Sequence, residues 1–320
     1  MAVLTMRGVM TTVQVGHSDL AVLPLALGGN VFGWTADEAT SLDALDAFVD
    51  AGGSMVDTAD GYSHWVPGHT GGESEAIIGR WLARRGRRDD VVVATKVSRH
   101  PDFLGLAPDT IRGAVHASLQ RLGTDHIDLY YAHFDDPSVP LADSLGALSA
   151  LVDEGLVRYL GISNYTPDRI DEWLAVTERE NLHRPVALQP EYNLVERGFE
   201  DGLQARAETY GLGVFPYYAL ASGFLTGKYR ADGSPSGPRA GRAAQYLEGR
   251  GAAVLPVLDE VAAAHGVSDA TVALAWLRRR PTVVAPIASA RSLDQLPDLL
   301  ASTTLELAAD EVAALDAASR

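Results

Sequence analysis

Apolar residues fall into two alternating patterns along this chain. Short runs that are apolar almost throughout alternate with longer stretches in which apolar positions recur every three or four residues. The short runs are LPLALG (23–28), SMVD (54–57), VVVATK (91–96), IDLYYAH (127–133), VRYLGIS (157–163), VALQP (186–190), LGVFPY (212–217) and TVVAPI (282–287). They have the length and composition of strands, and the amphipathic stretches at 36–52, 73–86, 108–123, 141–155, 166–180, 200–211 and 268–280 have the period of helices. Several stretches carry end signals, with Asp37 opening the first and Gly52 closing it, and Pro108 and Gly123 bounding the third. Strands that are apolar on both faces, each followed by a helix, argue for a parallel sheet. Eight such units of similar spacing, with no break between them, predict an α/β fold in one domain spanning 1–320. The expected architecture is a closed (β/α)8 TIM barrel, and a doubly wound open sheet is the competing arrangement. The opening segment TTVQVGHSDLAVLPLALGG (11–29) predicts an N-terminal β-hairpin ahead of the first unit.

One segment breaks the pattern. Between Gly227 and Gly251 the chain reads KYRADGSPSGPRAGR (228–242), rich in Gly, Pro, Ser and Arg, which predicts a long loop after the seventh strand. Its reach, about 219–252, suits a lid over a binding site.

Composition narrows the function classes. At 320 residues, with 47% hydrophobic and 21% charged, the chain has the makeup of a globular protein with a packed core. Lys and Arg total 26 against 42 Asp and Glu, a formal charge of -16, which speaks against nucleic acid or a polybasic membrane anchor as partner and leaves a local basic pocket open. Cysteine is absent, so disulfides, thiolate catalysis and cysteine-ligated zinc are excluded. The start MAVLTMRGVMTTVQVG holds no apolar stretch of signal-peptide length and no later stretch has a membrane-spanning length, so a cytoplasmic protein is expected, with Met10 as a second candidate start.

The candidate chemistry lies at the ends of the apolar runs. Asp57 closes SMVD, Lys96 closes VVVATK and His133 closes IDLYYAH, while Tyr62 follows Asp57 in DTADGYSHW. In a barrel these four side chains meet at one mouth. A phenol holds its proton too firmly to act as an acid near neutral pH, but a neighbouring ammonium group stabilises phenolate. Lys96 supplies that charge, and a buried lysine needs a counter-ion, for which Asp57 is placed. His133 can orient a carbonyl oxygen by hydrogen bonding, so the four suit protonation of an oxygen anion. Taken singly each has a structural use: Asp57 in a turn, Tyr62 as a loop aromatic, Lys96 snorkelling at a strand end. Four together at successive strand ends make coincidence the weaker account. A metal-dependent barrel hydrolase is the chemical rival, yet of nine histidines only His133 stands at a strand end, and neither HEXXH nor HXH occurs, so no metal is expected.

These residues belong to a longer series of motifs: DTADGY (57–62), GGESEAIIG (71–79), ATK (94–96), DHIDLYYAH (125–133), LVRYLGISN (156–164), QPEYN (189–193), LASGFLTGKY (220–229) and IASARSLDQL (287–296). In this order, over nearly the full length, the sequence resembles the aldo-keto reductases. The resemblance implies a barrel that binds NADPH without a Rossmann fold and moves hydride reversibly between that cofactor and an aldehyde or ketone. It makes Tyr62 the general acid, tuned by Lys96 and Asp57, and His133 the group that orients the substrate.

The resemblance also implies a cofactor site. Ser163, Asn164 and Gln189 fall where the family holds the carboxamide, and Tyr217 where an aromatic stacks on the nicotinamide, with Gly29, Asn30 and Asp57 in the same set. Leu220, Ser222, Gly223 and Lys228 fall where it holds the pyrophosphate, which backbone amides and a lysine suit. Ser289, Arg291 and Gln295 correspond to the adenosine end, and Arg291 to the 2'-phosphate that distinguishes NADPH from NADH, although a solvated arginine at a helix start is its ordinary alternative. Phe32, Trp34 and Trp65, with loop 63–72, are expected to wall the substrate pocket or to form a contact surface. Three positions depart from the family pattern: Tyr218-Ala219-Leu220 replaces Ser-Pro-Leu, Ser289 replaces a glycine and Leu299 an adenine-contacting asparagine. From another functional class, a nicotinamide-sensing regulatory protein similar to potassium-channel β subunits is the alternative. The expected partner is a small carbonyl compound, and a homo-oligomer remains open.

Overall fold

In the computed structural model, residues 11–229 and 240–320 are described, and the apolar runs form strands that are all parallel to their neighbours. They are β1 (Ala26–Gly28), β2 (Met55–Asp57), β3 (Val92–Val97), β4 (Ile127–Ala132), β5 (Val157–Ser163), β6 (Pro185–Gln189), β7 (Gly213–Val214) and β8 (Ile287–Ala288). Each pairs with the next from β1 to β7, and β8 pairs with β1. The remaining seam is closed by backbone bonds around Val214, whose N–H donates to Thr282 at 2.9 Å and whose carbonyl accepts from Val284 at 2.9 Å, and by the Ile287 N–H to Pro216 at 2.9 Å. The last strand therefore serves its two neighbours in two pieces. Val283 and Val284 meet β7, Ile287 and Ala288 meet β1, and Pro286 between them has no N–H to give.

Two apolar layers explain why the strands are apolar on both faces. Met55, Ala94, Leu129, Tyr131, Ala187 and Phe215 point inward and form one buried cluster. Val56, Val93, Tyr130, Leu160, Ile162 and Leu188 alternate with them and pack outward against the helices. The N-terminal hairpin, Val13–Gln14 antiparallel to Ala21–Val22, adds Val15, Leu20 and Val22 to the inner cluster. Tyr131 fills the interior only because its neighbour is Gly161, where a Cβ would lie 2.4 Å from the Tyr131 ring. Gly161→Ala should therefore cost about 1–3 kcal/mol of unfolding free energy in denaturant titration. An unchanged midpoint would mean that the ring moves freely.

The helices are α1 (Glu38–Asp50), α2 (Glu73–Arg85), α3 (Pro108–Leu122), α4 (Leu141–Asp153), α5 (Pro167–Arg179), α6 (Leu203–Tyr210), α7 (Ala240–Ala244), α8 (Arg250–His265), α9 (Asp269–Arg278), α10 (Leu296–Ala301) and α11 (Ala309–Ala318). Side chains of Asp37, Thr166 and Ser268 accept the first free amides of α1, α5 and α9. Gly123 ends α3 at φ 62°, a left-handed turn that favours glycine. All seven amphipathic stretches become helices. The sequence reading had no counterpart for α8, whose interior holds Pro256, or for the alanine-rich α11. Of the loop expected at 219–252, residues 230–239 lie outside the described residues, as does Met10. Its flanks are compact: a 3-10 segment covers Ala221–Thr226, and α7 and α8 begin before 252. Among the described residues, no helix is long and apolar enough to cross a membrane.

Candidate active site

Parallel strands in a ring end on the same face, so β1 to β8 carry their last residues to one mouth. Asp57 is the final residue of β2, Lys96 lies one before the end of β3, and His133 directly follows β4. Tyr62 reaches the same place from the loop after β2. That loop is fixed at both ends: Thr58 Oγ1 donates to Ser74 Oγ of α2 at 2.8 Å, Ser74 Oγ to the Gly29 carbonyl at 2.8 Å, and Ser63 Oγ to the Phe32 carbonyl at 3.0 Å.

Lys96 is the hub of the four. Its side chain is fully buried, and Nζ donates to Asp57 Oδ2 at 2.7 Å, to the Thr58 carbonyl at 2.6 Å and to the Tyr62 hydroxyl at 3.3 Å. The second Asp57 oxygen accepts from Gln189 Nε2 of β6 at 2.9 Å. Burial pushes the Lys96 ammonium below its ordinary range, and the facing carboxyl groups of Asp57, Asp60 and Glu75 push it back. His133 is driven well below the usual imidazole value by burial and by the cations Lys96 and Arg99, so its ring is neutral. Its Nδ1 is buried without a hydrogen-bond partner, which leaves Nε2 as the nitrogen able to meet a ligand. The His133 and Tyr62 rings lie edge to face at 6.1 Å. The four predicted groups are thus in one place, with a phenol, a cation and a neutral imidazole around a common space.

That space is a cleft of about 900 Å³ running from Trp65 to Leu299, near the upper end of ordinary ligand sites. Tyr62, His133 and Trp34 line its inner part with Trp65, which is 45% exposed and meets Trp34 edge to face at 5.6 Å. Phe32 was expected beside them, but the structure places it in the core at 0% exposure. The 3-10 turn Gly29–Val31 turns its ring inward, against Gly29.

The groups expected to hold a cofactor divide into three places. At the inner end, Asn164 and Gln189 line the cleft, while Ser163 and Gly29 are buried behind it. Asn164 has φ 57°, accepts from the Tyr217 hydroxyl at 2.7 Å and donates to the His133 carbonyl at 2.9 Å. In the middle, Ala221, Ser222 and Gly223 have φ of 48°, 58° and 93°. The amides of Ala221 and Gly223 turn back on the Tyr218 and Leu220 carbonyls at 2.7 and 2.8 Å, and Lys228 Nζ comes within 3.0 Å of the point a Gly223 Cβ would take, which brings a cation to this turn. At the outer end, Ser289 Oγ donates to Asn30 Oδ1 at 2.8 Å and the Arg291 amide to Gln295 Oε1 at 2.8 Å. The Arg291 side chain lines the cleft with no ion pair among the described residues. Lys228 at this turn and Arg291 farther along the cleft bring two cations that suit the phosphates of a dinucleotide. Among the described residues no group of three or more His, Cys, Asp or Glu side chains could hold a metal.

Among the cleft residues that the sequence does not single out are Arg242, Glu191 and Phe134. Arg242 of α7 stacks over Tyr218 at 4.0 Å from the ring centre and pairs with Glu191 at 2.9 Å. Glu191 lies within QPEYN, a motif in plain sight, whereas nothing in the loop's composition marks Arg242. Phe134 borders His133 at 5.0 Å between ring centres, and its position next to a strand-end histidine was the available signal.

Comparison with known proteins gives a consistent picture. The family model described as "Aldo/keto reductase family" matches residues 24–320. Protein tas of Escherichia coli is 34% identical over 333 aligned positions, covering 95% of this chain and 96% of its own. An aryl-alcohol dehydrogenase of Pestalotiopsis microspora is 32% identical over 92% of this chain and 78% of its own. A probable voltage-gated potassium channel subunit beta of Oryza sativa subsp. japonica is 33% identical over 88% of each.

Proposed function

The chain belongs to the aldo/keto reductase family, and on that premise we propose that it reduces an aldehyde or ketone with hydride from NADPH, reversibly, with Tyr62 as the proton donor. One observation carries the reading: Lys96 Nζ stands between Asp57 at 2.7 Å and the Tyr62 hydroxyl at 3.3 Å, behind two residues that line a cleft of about 900 Å³.

When bound, NADPH supplies the hydride that the carbonyl carbon receives. The chain's own residues manage the proton and the oxygen. Tyr62 gives its phenol proton to the carbonyl oxygen, and the Lys96 ammonium stabilises the phenolate left behind. Asp57 holds Lys96 in its charged form and Gln189 holds Asp57. The neutral His133 ring donates to the same oxygen and fixes its direction. Lys228 beside the turn at 221–223 would hold the diphosphate, Arg291 the 2'-phosphate, and Asn164 and Gln189 the carboxamide end.

The arginine gives a test of cofactor choice. Arg291→Ala should weaken NADPH binding by about 10- to 100-fold and leave NADH binding within about two-fold, because one charge-assisted contact is lost. Fluorescence titration with both nucleotides reads this, and equal weakening of the two would remove Arg291 from the 2'-phosphate.

The reaction itself is tested by the loss of NADPH absorbance with a panel of aromatic aldehydes, ketones and keto sugars. Turnover on any of them supports the reductase. NADPH that binds but is consumed with none of them would favour a nicotinamide-sensing regulatory protein, and the rice relative is named as a probable channel subunit.

A further inference from the structure

Asp60 is fully buried, and the proposed reaction leaves it without a task. It sits in the segment that wraps Lys96: its N–H donates to the Lys96 carbonyl at 3.2 Å, while Lys96 Nζ donates to the Thr58 carbonyl two residues earlier at 2.6 Å. No side chain donates to the Asp60 carboxyl, whose buried oxygens have no well-formed hydrogen bond and face the backbone amides of Gly61 and Ser98. The buried hydroxyls of Ser98 and Tyr130 lack partners too. The charged and titratable groups that face it are Glu75 from α2, Arg121 from α3, Lys96 from β3 and Tyr130 from β4. Arg121 is committed to Glu75 at 2.7 Å, and the other Glu75 oxygen accepts from Thr95 Oγ1 at 2.5 Å. Burial and the Glu75 carboxylate therefore raise Asp60 to about 8, with the amides of Gly61 and Ser98 and the Arg121 charge offsetting only part.

A buried carboxyl that no side chain hydrogen-bonds costs stability, and the nearby amides and Arg121 return only part of that cost. Its electrostatic neighbour is the hub of the tetrad. We propose that Asp60 is a positioning residue that acts through Lys96 to set the alkaline limit up to which Tyr62 keeps a proton to give. The inference rests on reading Tyr62 as the proton donor. Near neutral pH Asp60 is uncharged, and Lys96 exerts its full field on the phenol. As pH rises Asp60 ionises, and the new negative charge opposes loss of the proton from both Lys96 and Tyr62. The tetrad so gains alkaline range without weakening the acid at neutral pH.

The sign of the stability effect is fixed by the same group. Between an ordinary carboxylic acid value and about 8, the folded chain holds a proton on Asp60 that the unfolded chain has lost. Asp60 therefore subtracts stability progressively as pH rises through that window.

The experiment compares the wild type with Asp60→Asn in three readouts. In Asp60→Asn the alkaline limb of kcat for carbonyl reduction should move down by about one pH unit. The Tyr62 phenolate titration should move down with it, read as the ultraviolet difference between each chain and its Tyr62→Phe counterpart. The melting temperature of Asp60→Asn relative to wild type should rise from pH 4 to pH 8. An unmoved phenolate titration overturns the proposal, and so does a melting difference that is flat with pH. An Asp60→Asn chain that fails to fold overturns it as well, because loss of this carboxyl is expected to stabilise. The phenolate titration needs no turnover. A protein that reduces no carbonyl would sink the reductase reading while this titration still decides the part played by Asp60.

Discussion

Tyr62→Phe is expected to lower kcat for carbonyl reduction by about 10³-fold, within the range that a positioned general acid contributes, and to leave the Kd for NADPH within about two-fold. The substitution removes one oxygen. Lys96 Nζ loses the contact at 3.3 Å but keeps Asp57 and Thr58, so the buried cation stays paired. The ring keeps its edge-to-face contacts with Trp65 at 6.2 Å and His133 at 6.1 Å, so the cleft wall stays in place. Activity and binding should separate cleanly for that reason. Single-turnover absorbance measures the first and quenching of protein fluorescence the second. A variant that loses NADPH affinity yet turns over normally per bound cofactor would assign Tyr62 to binding, and the proton would need another donor.

What could be read from the sequence follows from how local its causes are. β3 and β4 are runs buried on both faces, so the chain itself signals them, and Lys96 and His133 stand out as polar residues at the ends of such runs. The pairing of Lys96 with Asp57 could be inferred because a buried ammonium group needs an anion and the adjacent strand end offers one. The Gln189 bond to Asp57 spans 132 positions and depends on ring closure, which no local pattern encodes. Phe32 misled because an aromatic near a strand end reads as a pocket wall, while its burial is decided by a single 3-10 turn. The split in β8 follows from the seam beside β7, and α8 was hidden by Pro256 in its interior. Asp60 lies inside the motif that carries the tetrad, but only the absence of a side-chain donor to its buried carboxyl marks it out, and that is a property of the packed structure.

Lys96→Met should cost stability as well as activity. The side chain is fully buried, and its removal leaves Asp57 Oδ2 facing the void of its partner while Oδ1 keeps Gln189 at 2.9 Å. Removing one member of a buried ion pair typically destabilises by about 3–5 kcal/mol, because the remaining charge stays desolvated. Carbonyl reduction should fall by about 10³-fold or more, since the phenolate of Tyr62 loses the cation that stabilises it. Removing both charges in Lys96→Met/Asp57→Asn should restore part of the stability and none of the activity. An amide has no charge to strand, but it supplies no ammonium for the phenol. Denaturant unfolding of the wild type, both single variants and the double variant measures the coupling between the two residues. Strong non-additivity in stability, together with equally inactive variants, is the expected result: the pair is held together by charge and kept for the proton. Additive stability losses would mean that the 2.7 Å contact carries little energy of its own, and that Lys96 stays charged through the field of Glu75 instead.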